Sequence, residues 1–325
     1  MTPVLAAALV MFAALTLYAI FGGADFGGGV WDLLASGPRR DAQRDTITDA
    51  IGPVWESNHV WVIFAWVAFF TCFPLAYADV AQNLNAPLTL ALGGIVLRGA
   101  AFVFRNYMSG VVAPARTWTV VFGASSIIAP FFLGDAIGAV ATGRYAWTSP
   151  FALSVGLFDL ALCAQIAAVF LVREARDPAL REDFRRRAVR ATVAIWIAGL
   201  LPALLAHGAE PAFFAALFAP AARIAIAVAM LLGIAVMAAI AMHRGTLARL
   251  FVGAEAVAVL AGWFGAQAPA IVPGRWTFES AAAHPAMLNA FLAVAAGGAL
   301  VLIPSLLLLF AVFKGPARTR RPGEA

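Results

Sequence analysis

The sequence predicts an all-α integral membrane protein with nine transmembrane helices in two bundles, N-terminus outside and C-terminus cytoplasmic. Three observations carry that expectation. Of 325 residues, 63% are hydrophobic and 12% charged, with a mean hydropathy of +0.89, against about 45–50% and 25% in a soluble domain. Nine apolar runs approach the roughly 20 residues that a membrane crossing needs. The basic residues collect in alternate connections between those runs.

The runs fall at about 4–21, 60–81, 84–104, 117–141, 150–172, 188–206, 222–242, 248–272 and 287–313. The first follows Met1-Thr2-Pro3 without a positive leader segment. It is too long for a signal-peptide core and reads as a first spanning helix. With the N-terminus outside, inner segments hold Arg39, Arg40, Arg44, Arg105 and Arg116. They also hold the seven arginines between Arg173 and Arg190, Arg244, Arg249 and a basic tail at 314–325, and so take 18 of the 22 basic residues. Outer segments hold only Arg144 and Arg275, while Arg98 and Arg223 lie within runs. The chain reads as one membrane domain, 1–325, made of helices 1–4 (4–141) and helices 5–9 (150–313), with a basic cytoplasmic loop at 173–187. Arg185-Arg186-Arg187 in that loop suits anionic lipid. The net charge of +5 sets orientation and implies no nucleic-acid partner.

Cys72 and Cys163 both lie inside apolar runs and form neither metal spacing nor a disulfide framework. The four histidines divide into His59 and His243 near the inner surface, and His207 and His284 near the outer. No two share a helix at ligand spacing, and no Cys-x-x-Cys-His attachment site exists, so no haem or metal ligand is expected from this chain.

Chemistry concentrates in three stretches. Ile51-Gly-Pro-Val-Trp-Glu-Ser-Asn-His-Val-Trp61 stands at the start of the second run. It brings Glu56, Asn58 and His59 together between Trp55 and Trp61, which suit a membrane boundary. A plain anchor has no use for that polar trio, although a helix cap would also be polar; an ionisable group at such a depth points to function. Phe21-Gly-Gly-Ala-Asp-Phe-Gly-Gly-Gly-Val30 closes the first run. Its glycines allow close helix packing, and Asp25 needs water, a partner or a proton. No strand precedes it and no basic or hydroxyl residue follows Asp25 to hold phosphate, so it is not a nucleotide loop. In Leu97-Arg-Gly-Ala-Ala-Phe-Val-Phe-Arg105, Arg98 and Arg105 share a helix face. Arg105 ends at the boundary, whereas Arg98 lies about 10 Å deeper. Two kinds of partner suit Arg98 equally: a carboxylate, Glu56 or Asp25, or the propionate of a cofactor on a neighbouring subunit. Among the other acids, Asp79 and Asp135 fall near outer ends where solvent accounts for them. Asp159 and Glu255 are candidates for polar contacts between helices.

These three stretches resemble subunit II of the cytochrome bd-type quinol oxidases, including the cyanide-insensitive branch. The resemblance is clear over about 15–110, and Trp276-Thr-Phe-Glu-Ser-Ala281 also sits where that family has a similar segment. It implies a complex that oxidises quinol and reduces dioxygen in a bacterial inner membrane. Haem b, haem d and the quinol site would then lie in a partner subunit I, with no haem ligand from this chain. It allows a structural quinone between apolar helices. It makes Glu56 and Asp25 the proton-handling acids, and gives Arg98, Trp55, Asn58, His59 and Trp61 contacts to the partner's haem site or the subunit interface. The chain departs from the family at two usually acidic positions, Gly22 and Val103. A proton- or ion-coupled transporter using Asp25, Glu56 and Arg98 is the alternative.

Overall fold

A computed structural model describes residues 2–52, 58–107 and 114–314. Its helices are α1 (Pro3–Leu33), α2 (Arg40–Ile51), α3 (Val60–Cys72), α4 (Pro74–Asn83), α5 (Asn85–Tyr107), α6 (Ala115–Ala141), α7 (Pro150–Glu174), α8 (Pro178–Ala209), α9 (Pro211–Ala216), α10 (Pro220–Ala241), α11 (Gly245–Gln267) and α12 (Pro285–Lys314). A short antiparallel pair, β1 (Ala270–Val272) and β2 (Trp276–Thr277), joins α11 to α12. Proline opens α1, α7 and α8 at the first position, where its missing N–H costs nothing. Thr2, Ser149 and Asp177 cap those helices by accepting a backbone N–H.

Eight of the described helices are long and apolar enough to cross a membrane, and a ninth crossing exists only if α3 and α4 count together. They meet at a 119° bend, so the expected continuous span 60–81 is broken. Pro74 supplies no N–H to continue the α3 ladder, and Phe73 leaves helical geometry. Two further expectations change. The glycine-rich stretch does not end α1, which continues through it to Leu33. The basic loop 173–187 is mostly helix, because α8 begins at Pro178.

α1 is the central strut, packed against α7, α6 and α3. Its glycines make this approach close: a Cβ on Gly27 would run into the Cys163 carbonyl of α7, and one on Gly29 into Ser126 of α6. Trp31 Nε1 then donates to the Ala164 carbonyl at 2.8 Å. Close packing, one of the uses expected of these glycines, is therefore what Gly27 and Gly29 provide.

At one end of the bundle the basic residues hold helices together. Arg39 makes a two-pronged ion pair with Asp183 at 2.8 and 2.7 Å. Gln43 bridges Asp183 and Arg187. Arg187 turns inward to lie on Trp31 and Phe184 and is buried. Arg185 and Arg186 pair with Glu182. Of the three arginines assigned to lipid, Arg187 is thus a structural tie between α2 and α8.

At the opposite end Asp79 of α4 organises the hairpin. Its Oδ2 accepts from the Tyr145 hydroxyl at 2.6 Å and Trp276 Nε1 at 2.8 Å. Its Oδ1 accepts from Asn83 Nδ2 at 2.8 Å and lies 3.6 Å from Arg275. Solvent exposure does not explain this carboxylate; it docks β2 onto the bent helix. Burial, and then the bond to Asp79, push the Tyr145 phenol above its ordinary range, so it remains a donor. Next to the bend, Cys72 is buried and its carbonyl accepts from the Ala283 N–H at 2.8 Å. Replacing Asp79 with Ala should remove roughly 2 kcal/mol, the scale of hydrogen bonds to a charged group. Heating the purified chain with a maleimide then labels Cys72 at lower temperature than in the parent. An unchanged labelling curve would show that the hairpin docks without Asp79.

Candidate functional site

The deepest polar cluster lies where α1, α5 and the start of α3 meet. Asp25 is buried and accepts a hydrogen bond from Asn58 Nδ2 at 2.7 Å. Arg98 is 1% exposed. Its Nη2 donates to the Asp25 carbonyl at 3.1 Å. Phe26 and Phe122 flank its guanidinium at 5.4 and 5.2 Å, the geometry in which an aromatic face stabilises a cation. Within this chain Arg98 thus meets the Asp25 segment through its backbone carbonyl. His59 Nδ1 lies 3.4 Å from the Tyr18 hydroxyl, and its ring packs on Tyr18 and Phe26. Trp61 is half-buried against the same aromatic cluster. Asp25, Asn58, His59, Trp61 and Arg98 are thus gathered in one region of the fold. Glu56 and Trp55 lie outside the described residues.

A second rung lies one step along the same two helices. Arg105 Nη1 meets Asp32 Oδ2 at 2.9 Å, Nη2 donates to Thr48 at 2.9 Å, and the guanidinium stacks on Phe122. The Asp32 side chain is fully buried and that of Arg105 only 11% exposed. The expectation that Arg105 merely ends at the boundary is corrected: it is half of an interhelical ion pair. Asp32 escaped the sequence reading, although a signal was present. Asp25 and Asp32 are seven apart, as are Arg98 and Arg105, so parallel helices can pair both in one register.

The departures from the family pattern have structural counterparts. A Cβ on Gly22 would sit 2.7 Å from the Tyr18 ring, so an aromatic ring covers the place of the first acid. Val103 is 41% exposed and faces out of the chain. Solvent does not account for Asp135, which is fully buried with no hydrogen-bond partner to either carboxylate oxygen among the described residues. Glu255 makes the interhelical contact expected of it: Gln165 Nε2 on α7 donates to its Oε2 at 2.9 Å and also contacts Thr192 on α8. Asp159 borders a largely apolar cavity of about 290 Å³ together with Tyr18, Trp66, Phe69 and Gln267. No group of three His, Cys, Asp or Glu side chains suited to a metal occurs among the described residues.

The two rungs should respond differently to substitution. Removing one member of the Asp32–Arg105 pair leaves a charge buried alone, at a cost of about 3–5 kcal/mol. Asp32→Ala should therefore sharply reduce the yield of monodisperse protein in detergent, and Asp32→Leu combined with Arg105→Met should restore much of it. Equal yields from all three would mean that the pair holds nothing together.

The geometry can be set beside known proteins. The family model described as cytochrome bd terminal oxidase subunit II matches residues 3–313. Cytochrome bd ubiquinol oxidase subunit 2 of Bacillus subtilis (strain 168) is 33% identical over 113 residues, 34% of this chain and 32% of that protein. Cytochrome bd-I ubiquinol oxidase subunit 2 of Escherichia coli (strain K12) is 24% identical over 169 residues, 47% of this chain and 44% of that protein. The matched stretches thus span less than half the length of those relatives. A chain from the structure of bd oxidase from Geobacillus thermodenitrificans shares the fold, with a TM-score of 0.83, 20% identity, and 96% and 99% of the two chains covered. A match over nearly all of its length places this chain in the cytochrome bd terminal oxidase subunit II family.

Proposed function

We propose that this chain is the non-haem subunit of a complex in a bacterial inner membrane that oxidises quinol and reduces dioxygen to water. The family match over residues 3–313 carries the reading; the ubiquinol oxidase names of the Bacillus and Escherichia relatives supply the substrate class. In this reading haem b and haem d belong to a partner subunit I. The chain forms one membrane domain of two helical bundles, with its N-terminus outside. The distribution of basic residues supports that orientation, in which the α2 end of the bundle faces the cytoplasm.

Dioxygen reduction consumes protons as well as electrons. A subunit without redox groups contributes most directly by holding protons and excluding water from the rest of the path. Asp25 and Glu56 are the acids assigned to that task. Asn58 orients the Asp25 carboxylate, and Arg98 offsets its charge in a medium of low dielectric. His59, Trp55 and Trp61 are assigned to the face toward the partner's haem site. The cavity bordered by Tyr18, Trp66 and Phe69 suits a quinone ring held structurally, since its walls are apolar with a few polar groups at the edge.

The first test is to isolate the chain from its native membrane in mild detergent and record a reduced-minus-oxidised spectrum. A co-purifying haem protein is expected; a colourless chain eluting alone would sink the reading. In the assembled complex, Glu56→Gln and Asp25→Asn should each slow oxygen turnover by roughly a hundredfold or more, the lower range for loss of a proton-transfer group. Unchanged turnover would remove that residue from the route.

A further inference from the structure

With the usual acids at positions 22 and 103 absent, the structure offers another way from the aqueous phase to Asp25. A cavity of about 150 Å³ lies between α1, α2, α7 and α11. At one end it is bordered by Asp25 and Asn58, which are 3% and 4% exposed. At the other it reaches Glu174 and Arg249, paired at 3.1 Å with side chains 28% and 23% exposed. Gly28 and Phe170 form part of the wall between them. The Arg249 guanidinium stacks on the Phe170 ring at 4.6 Å, which fixes the mouth. One end therefore meets solvent and the other meets the buried acid.

We propose that this cavity is the proton inlet of the subunit, with Glu174 as the collecting group and Asp25 as the receiving one. The proposal rests on the oxidase reading above and adds to it a route that passes neither residue 22 nor residue 103. Liquid water occupies roughly 30 Å³ per molecule and needs two to four polar partners, so the space suits a short file of waters anchored at its two polar ends. Glu174, the last residue of α7, takes a proton from the cytoplasmic water and releases it to the file. The file delivers a proton to the Asp25 carboxylate, and Glu174 returns to its anionic form beside Arg249. Each passage moves one proton and no electron. Glu174 and Arg249 are far apart in sequence and belong to the second half of the chain. The inlet thus joins the two halves of the chain, α1 and α2 on one side and α7 and α11 on the other.

The test uses the complete haem-bearing complex in four forms: parent, Glu174→Gln, Glu174→Asp, and Ala50→Phe, which places a ring at the cavity wall. Haem absorption reports assembly, and turnover with a short-chain quinol is followed against pH in H2O and D2O. The proposal expects parental haem spectra throughout. Turnover in Glu174→Gln and Ala50→Phe should fall, with a larger solvent isotope effect and a steeper loss toward alkaline pH, where protons are scarce. Glu174→Asp should recover most of the rate. Parental rates, isotope effects and pH profiles in both Glu174→Gln and Ala50→Phe, with haem present, overturn the inlet and leave the oxidase reading standing. A parent chain that purifies without haem overturns both.

Discussion

Everything near the centre of this protein depends on keeping a guanidinium, Arg98, almost wholly away from water. Moving a charged group into a low-dielectric interior costs several kcal/mol even after relaxation, and the fold answers with contacts from two helices. A backbone carbonyl of α1 accepts one N–H, the buried acid at Asp25 lies beside it, and two phenyl rings cover its faces. None of this is available unless α1 lies close to its neighbours. Gly27 and Gly29 set that distance, because any side chain there would meet Cys163 or Ser126. The glycine stretch is thus the steric condition under which a charge can be buried one turn away.

That dependence explains what was legible in the sequence and what was not. A carboxylate, an arginine and a Glu-Ser-Asn-His stretch inside apolar runs are costly residues in costly places, so their grouping around Asp25 could be anticipated from cost alone. Continuation of α1 to Leu33 could not. Glycine's low helix propensity argued for an end, and tertiary packing on α6 and α7 overrode it. Hydropathy likewise treated 60–81 as uniform, because a single proline among apolar residues hardly changes a mean, yet it turns the chain by 119°. The same insensitivity made Asp79 and Asp135 look alike near the ends of runs. One accepts hydrogen bonds from Tyr145, Trp276 and Asn83, and the other is buried without such a bond among the described residues. Depth in a run does not reveal what lies across the helix interface.

The family resemblance covered mainly 15–110, and the fold explains the concentration. Helices α1, α5 and the start of α3 contribute the polar cluster, so substitutions there carry an electrostatic cost in addition to a packing one. The later helices α8, α10 and α12 present long apolar faces, with Leu204, Leu231 and Leu300 each more than 60% exposed. On such faces one apolar residue replaces another at little cost, and identity fades while the fold persists.

The two acid–arginine rungs finally separate into different kinds of site. Asp32 and Arg105 close on each other and on Thr48, an ion pair tied between helices. The turn of α1 around Asp25 is built otherwise. Gly23 and Phe26 face the larger apolar cavity, while Ala24, Asp25 and Gly28 face the smaller one, which carries polar groups at its ends. One helix turn is therefore the partition between a space suited to an apolar ligand and a space suited to water. In the proposed inlet, a carboxylate on that partition, held by Asn58 and beside Arg98, would exchange a proton with water in the smaller space while the helices stay in place. Positions 22 and 103 do not border the smaller cavity, so the proposed inlet does not pass through either of them.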